Sequence, residues 1–255
     1  MRYFDLHCDT MTECALKNIP LRRNFLHVDL DTVQGWERYV QCYAVWLPDE
    51  LRGEPAWQRF LQVAERFLQE VEKNAGCLRQ LRAPGDLDSL EESGRHGAIL
   101  TVESSAVLGG RLERIQDLRR LGVRMCTLTW NGENAIGSGS QTDHGLTAFG
   151  REAVRELIRG GIVLDVSHLN DRGFWDLMEE TDGPVAASHS NARALWPHRR
   201  NLTDEMLRGA PQLKEALTAF LSFVGGRPLA AHNAEFDISF IRAGCRPGGA
   251  FIFGQ

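Results

Sequence analysis

Short apolar, β-prone runs recur along this chain, and between them the apolar positions fall at helical spacing. Runs at 3–8, 40–47 (VQCYAVWL), 97–102 (GAILTV), 123–130, 162–166 (IVLDV) and 184–188 (PVAAS) predict six strands. GAILTV is apolar throughout, as a strand buried on both faces should be. Phe60, Leu61, Ala64, Phe67, Leu68 and Val71 form one stripe, which predicts a helix over 57–73. Further helices are predicted at 112–121, stopped by Gly122, at 147–159, closed by Gly160-Gly161, and at 171–180. Strands alternating with helices imply βα units and a parallel sheet. Six units occupy residues 1–208, and eight would need about 270 residues or more. The expected fold is therefore α/β, a (β/α)8 TIM-barrel type truncated after about six βα units, with a short foreign αβα tail.

The chemistry sits where the strands end. A strand that delivers a ligand at its C-terminal end, followed by a helix and another such strand, is how a parallel barrel builds an active site. His7 and Asp9 are two apart on a strand end, so both point to one side. Glu103 closes a buried strand, where a carboxylate costs several kcal/mol unless it is paired or on a metal. His168 and His189 end two successive strands, and imidazole is a common ligand for zinc-like ions. Each residue alone also has a structural reading: a core histidine satisfied by Asp5 or Asp9, a capping or ion-paired glutamate, a strand-end histidine. Together they have the composition of a dinuclear site, in which ions about 3.5–4 Å apart share a carboxylate and a water. His27, His96, His144 and His198 lack that context and read as surface or loop residues. The Gly-, Ser- and Asn-rich stretch 131–144 (NGENAIGSGSQTDH) lies where a barrel keeps functional loops.

Composition narrows the setting. With 43% hydrophobic and 25% charged residues the chain is an ordinary globular one. A net charge of −5 argues against a nucleic-acid partner, whose electrostatic footprint would be basic. Six cysteines without a CxxC pair indicate neither a disulfide framework nor a zinc ribbon, which fits reduced thiols in the cytoplasm. The first residues lack the apolar core of a signal peptide, and no apolar run reaches membrane-spanning length, so no membrane partner is expected. Homo-oligomerisation is compatible with the sequence.

Several of these motifs carry a family likeness. DLHCDT, the Glu103 strand, LGVRMCTLTWNGEN (121–134), GLTAFGREAV (145–154), GGIVLDVSHL (160–169) and PVAASHSNARAL...HRRNLTDE (184–205) resemble the renal (membrane) dipeptidase family over residues 1–208. The resemblance implies a zinc metallopeptidase with two Zn2+ ions that hydrolyses a dipeptide by a metal-bridging hydroxide. His7 and Asp9 would hold one ion, His168 and His189 the other, and Glu103 would bridge them as the catalytic carboxylate. Arg200 matches the arginine that binds the substrate's free carboxylate. The departures are Ser104-Ser105 where the family usually has glycines, and Trp130 where mammalian members have an assisting histidine.

Residues 202–245 resemble something else, the proofreading 3′–5′ exonuclease domain of bacterial replicative DNA polymerases, with His232-Asn233-Ala234-Glu235-Phe236-Asp237 matching its second motif. Asp237 would be a magnesium ligand in an intact domain; without the partner carboxylates it reads better as a surface or N-cap aspartate. The sequence therefore predicts an incomplete dipeptidase barrel (1–208), an exonuclease-like fragment (209–245) and an unstructured end (246–255), joined through LTDEML (202–207). The dipeptidase strand bearing a proton-handling aspartate has no counterpart after Arg208, so turnover is expected to be weak or absent. An exonuclease-related chain and an inactive metal-binding remnant are the alternatives.

Overall fold

The computed structural model describes residues 2–208 of the 255. Residues 2–204 form one compact unit, and the described residues from Glu205 onward fall outside it. The segments expected at 209–245 and 246–255, with a seventh strand at 227–231, lie outside the described residues.

Within 2–204 the strands are β1 (Arg2–Cys8), β2 (Arg38–Trp46), β3 (Leu78–Gln80), β4 (His96–Glu103), β5 (Val123–Thr127) and β6 (Val163–Asp165). The helices are α1 (Thr10–Lys17), α2 (Leu30–Val33), α3 (Glu54–Lys73), α4 (Gly85–Ser93), α5 (Glu113–Leu121), α6 (Ala148–Arg159) and α7 (Asp171–Met178). All pairings between these strands are parallel, in the order β1-β2-β4-β5-β6, so the βα units run in sequence around a curled sheet. The short β3 pairs with the first residues of β4, on the edge that β5 takes over from Leu100 onward.

Burial explains why these runs are strands. Seven consecutive residues of β2, Tyr39 to Val45, are buried, which requires cover on both faces of the sheet. Part of that cover is α3, which buries Ala56, Phe60, Val63, Ala64 and Phe67 and sets Phe67 6.0 Å from the Tyr43 ring. The expected stripe was rotated slightly: Leu68 is exposed, and Glu70 is inside, accepting from the Leu21 backbone N–H at 2.9 Å and pairing with Arg66.

Three expectations need correction. The strand at 184–188 reduces to a single parallel bridge between Asp165 and Ala186. Pro184 has no N–H to give a ladder, and the Ser188 N–H is spent on the Asp165 carboxylate at 3.0 Å. The run 123–130 is a strand only to Thr127, although Leu128 and Thr129 stay fully buried. His96 is not a surface residue but is 4% exposed at the start of β4, where its Nδ1 accepts from the Tyr39 N–H at 3.2 Å.

Candidate metal centre

The sheet brings His7, Glu103, His168 and His189 together at the C-terminal ends of its strands. Glu103 is at the centre, 3% exposed. Its Oε1 lies 2.9 Å from His168 Nε2 and 3.2 Å from His189 Nε2, and its Oε2 lies 3.5 Å from His7 Nε2. His168 and His189 present their Nε2 atoms to each other at 2.9 Å, and the His7 and His189 rings lie with centroids 3.9 Å apart. One ligand atom from each of His7, Glu103 and His189 falls within a 4.8 Å cluster. Asp9 is the outlying member: it begins α1, its side chain makes no capping bond, and its Oδ1 reaches His7 Nε2 at 3.5 Å.

Electrostatics suit a cation. Burial by itself would raise the Glu103 carboxyl, but hydrogen bonds from His168 and His189 and the charge of His7 hold it well below the usual carboxylate range. Burial, with the charge of Arg200 beside it, holds His168 below the usual imidazole value, the direction that favours the neutral ring a metal ligand needs. His7 goes the other way: burial would lower it, but Asp9 and Glu103 raise it. A buried carboxylate ringed by three imidazoles, with a second carboxylate at its rim, is a donor set that fits divalent ions of the zinc class.

Local backbone geometry is unusual at one ligand and beside another. His168 adopts φ 69°, and Ser104, next to Glu103, adopts φ 86°. Left-handed conformations in non-glycine residues cost of order 1–3 kcal/mol and persist where the surroundings over-determine them. For His168 one such partner is Asn131, whose Oδ1 sits 3.0 Å from Nδ1. Asn131 opens the stretch 131–144, whose expected role at the site is thereby given a contact. Gly139 of the same stretch passes so close to the chain that a Cβ there would lie 2.0 Å from the Trp130 carbonyl oxygen.

Arg200 joins the cluster from the far end of the unit. Its Nη1 donates to the His189 carbonyl at 2.7 Å, and its Nη2 lies 2.8 Å from His168 Nε2. No ion pair among the described residues includes Arg200, although burial disfavours its charge. Trp46 and Trp130 pack edge to face at 5.3 Å, and Trp130 lies 6.3 Å from the His168 ring.

Asp165 was passed over by the sequence reading, although its signal matched that of Glu103, a carboxylate closing a buried apolar run. It is fully buried beneath the ligands. It accepts from Thr127 Oγ1 at 2.7 Å, from Ser188 Oγ at 2.6 Å and from the Ser167 and Ser188 backbone N–H groups.

With this geometry in view, comparison with known proteins becomes informative. A family model described as "Membrane dipeptidase (Peptidase family M19)" matches residues 1–216. The chain belongs to the M19 family. Among curated relatives, an uncharacterized protein in the pqqA 5′ region of Klebsiella pneumoniae is 33% identical over 148 residues, 55% of each chain. The dipeptidase tcpJ of Claviceps purpurea is 29% identical over 203 residues, 71% of this chain and 45% of that one. The alignments thus span about half the length of these two relatives. A solved M19 metallopeptidase, dipeptidase AC, superposes with a TM-score of 0.77 at 26% identity, covering 95% of this chain and 81% of its own. The mixed α/β architecture with its curled parallel sheet is that of the TIM-barrel-like M19 fold. The expected join to an exonuclease finds no support: the M19 match runs past the proposed junction, and dipeptidase AC covers nearly the whole chain.

Proposed function

We propose that this chain is a metal-dependent dipeptidase whose site is made by His7, Asp9, Glu103, His168 and His189, with Arg200 as the substrate anchor. The observation that carries the reading is the guanidinium of Arg200, which touches His168 and the His189 carbonyl and has no carboxylate partner among the described residues. A dipeptide's terminal carboxylate fits it, by two parallel charge-assisted hydrogen bonds. One ion would be held by His7 and Asp9, the other by His168 and His189, with Glu103 between. When bound, two such ions acidify a water and polarise the scissile carbonyl.

The chain's own residues supply the rest. Glu103 is the one carboxylate common to both ligand pairs, and it stays ionised near neutral pH, which is the ground for giving it the catalytic role. Arg200 fixes the substrate by its end and so aligns the amide with the ligand cluster, an orientation effect worth orders of magnitude in rate. Trp46 and Trp130 offer an aromatic wall beside His168. Cys8, Cys14, Cys42, Cys77 and Cys126 are unpaired, in keeping with a cytoplasmic setting. Among the described residues no helix is long and apolar enough to cross a membrane. The expectation that the proton-handling aspartate has no counterpart concerns residues after Arg208, which lie outside the described ones.

Metal analysis of the purified chain should find two zinc-class ions. Cleavage is expected to be weak, and what there is should fall on dipeptides with a free carboxylate and spare their C-terminal amides. Arg200→Lys loses the planar fork, and Arg200→Ala the charge as well. Removing one partner of a desolvated charge pair costs about 2 kcal/mol or more, roughly 30-fold in kcat/KM. Equal cleavage of amidated dipeptides, or no bound ion, would overturn the reading.

A further inference from the structure

We propose that Arg193, oriented by Asp171, is a positioning residue that clamps the backbone on both sides of Arg200 and so fixes where that guanidinium stands. The need for a clamp follows from the local structure. Residues 191–202 contain no helix or ladder strand, only a single bridge between Ala192 and Leu202. Around that bridge the Arg193 N–H donates to the Leu202 carbonyl at 2.7 Å, and the Leu202 N–H to the Asn191 carbonyl at 2.9 Å. Arg200 stands inside the loop so closed, where no regular ladder sets its direction.

The Arg193 side chain reaches across the loop. Its Nε donates to the Asn201 carbonyl at 2.9 Å and its Nη2 to the Arg199 carbonyl at 3.0 Å, the carbonyls of the two residues that flank Arg200. Its Nη1 and Nη2 also donate to Asp171 Oδ2 and Oδ1, at 2.7 and 2.5 Å. Two edges of one planar group are thus occupied, which an ammonium point charge cannot reproduce. Asp171 is a firm base, because it opens α7 beside the buried N-cap Asn170. Asn170 accepts from the Gly173 N–H at 2.7 Å and donates to the Thr142 and His144 carbonyls at 2.7 and 2.8 Å. Arg193 therefore ties the chain around Arg200 to α7. The other ties are lesser ones: Asn201 bonds Trp196 and Asn191 inside the same loop. The Arg199–Asp143 pair is 54% and 84% exposed, against 26% for Arg193, and water competes with it.

This inference rests on the reading of Arg200 as the substrate anchor, and two measurements on the full chain keep them apart. Hydrogen exchange at the Arg200 Nε–H, followed in 1H–15N spectra and assigned by its loss in Arg200→Lys, reads that side chain without any substrate. It should speed up several-fold in Arg193→Lys and to a smaller extent in Asp171→Asn; unchanged exchange in Arg193→Lys would overturn the clamp. Calorimetric titration with alanylalanine and with its C-terminal amide reads the consequence. A residue that acts only through Arg200 cannot cost more than Arg200 itself, roughly 30-fold for a lost charge partner. Arg193→Lys should therefore weaken alanylalanine by about 3- to 30-fold and leave the amide unchanged. In an Arg200→Ala background it should have no further effect. Equal weakening of both ligands, or an added loss in that background, would overturn the clamp, because general damage to the fold does not distinguish them. If the wild type does not prefer alanylalanine over the amide, the anchor reading fails, and the exchange rates still decide the clamp. Should Arg193→Lys not fold, Asp171→Asn, altered at a half-exposed residue, decides it on the same readouts.

Discussion

His96 shows how a single buried ring makes stability depend on pH. Its Nδ1 accepts from the Tyr39 N–H, and the ring also bonds the Val33 backbone. A proton added at Nδ1 would set a donor against a donor inside the sheet, and burial already holds the ring below the usual imidazole value. The folded pKa is thus lower than the unfolded one, near 6.5. Between the two, the unfolded chain binds more protons, so stability is fully present above about pH 6.5 and falls as the pH drops towards the folded value. The unfolding free energy of the wild type, minus that of His96→Gln, should decline from about pH 6.5 to 5, because the other histidines cancel in the difference. A flat difference would show that the ring stays neutral or exposed.

At the scale of elements, the decisive contact is between α6 and the stretch before it. Thr147 caps α6 by accepting from the Gly150 N–H at 2.9 Å. Helix propensity favours Gly→Ala by about 1 kcal/mol. Yet a Cβ on Gly150 would lie 2.0 Å from the Ile136 carbonyl oxygen, which is backbone and cannot swing away. The backbone around Ile136 is itself pinned, since Ile136 N and Gly137 N both bond Asn134 Oδ1. The clash wins over propensity. Gly150→Ala should lower the thermal midpoint by several degrees, where propensity alone would raise it; an unchanged or higher midpoint would show that the stretch yields. Part of this strain should reach Asn131 and, through it, His168.

Across the whole molecule the proposed ions would tie together segments from His7 to His189, far apart in sequence. A ligand that binds only the folded state stabilises it by about 2.7 kcal/mol at a hundred times its Kd. For a domain of this size each kcal/mol shifts the midpoint by roughly 2–4 °C. Chelation should therefore lower the midpoint by about 5–11 °C and abolish hydrolysis, with zinc restoring both. A midpoint indifferent to chelator and zinc would leave Glu103 and its imidazoles as a purely structural cluster.

What the sequence determined by itself was the parts whose signal is local. Helices α3, α5, α6 and α7 were legible within a few residues, because burial on one face imposes a repeat. Strands β2 and β4 were legible because doubly covered strands are apolar runs, whereas β1 and β6, with Phe4, Leu6 and Val163 exposed, were legible as short runs closed by polar residues. The candidate ligands were legible because a polar residue closing such a run marks a strand's delivering end. β3, three residues long, gave no such signal, nor did α1 and α4, whose apolar positions mark one face less strongly than those of α5 and α7. Tertiary structure alone decided the rest. It turned 184–188 from a strand into a single bridge, because Asp165 competes with the ladder for the Ser188 N–H. It buried His96, placed Arg200 against His168, and set Asp165 beneath His189. Each outcome depends on which groups meet across the sheet, and a hydrogen bond between residues twenty or more positions apart leaves no periodicity in the chain.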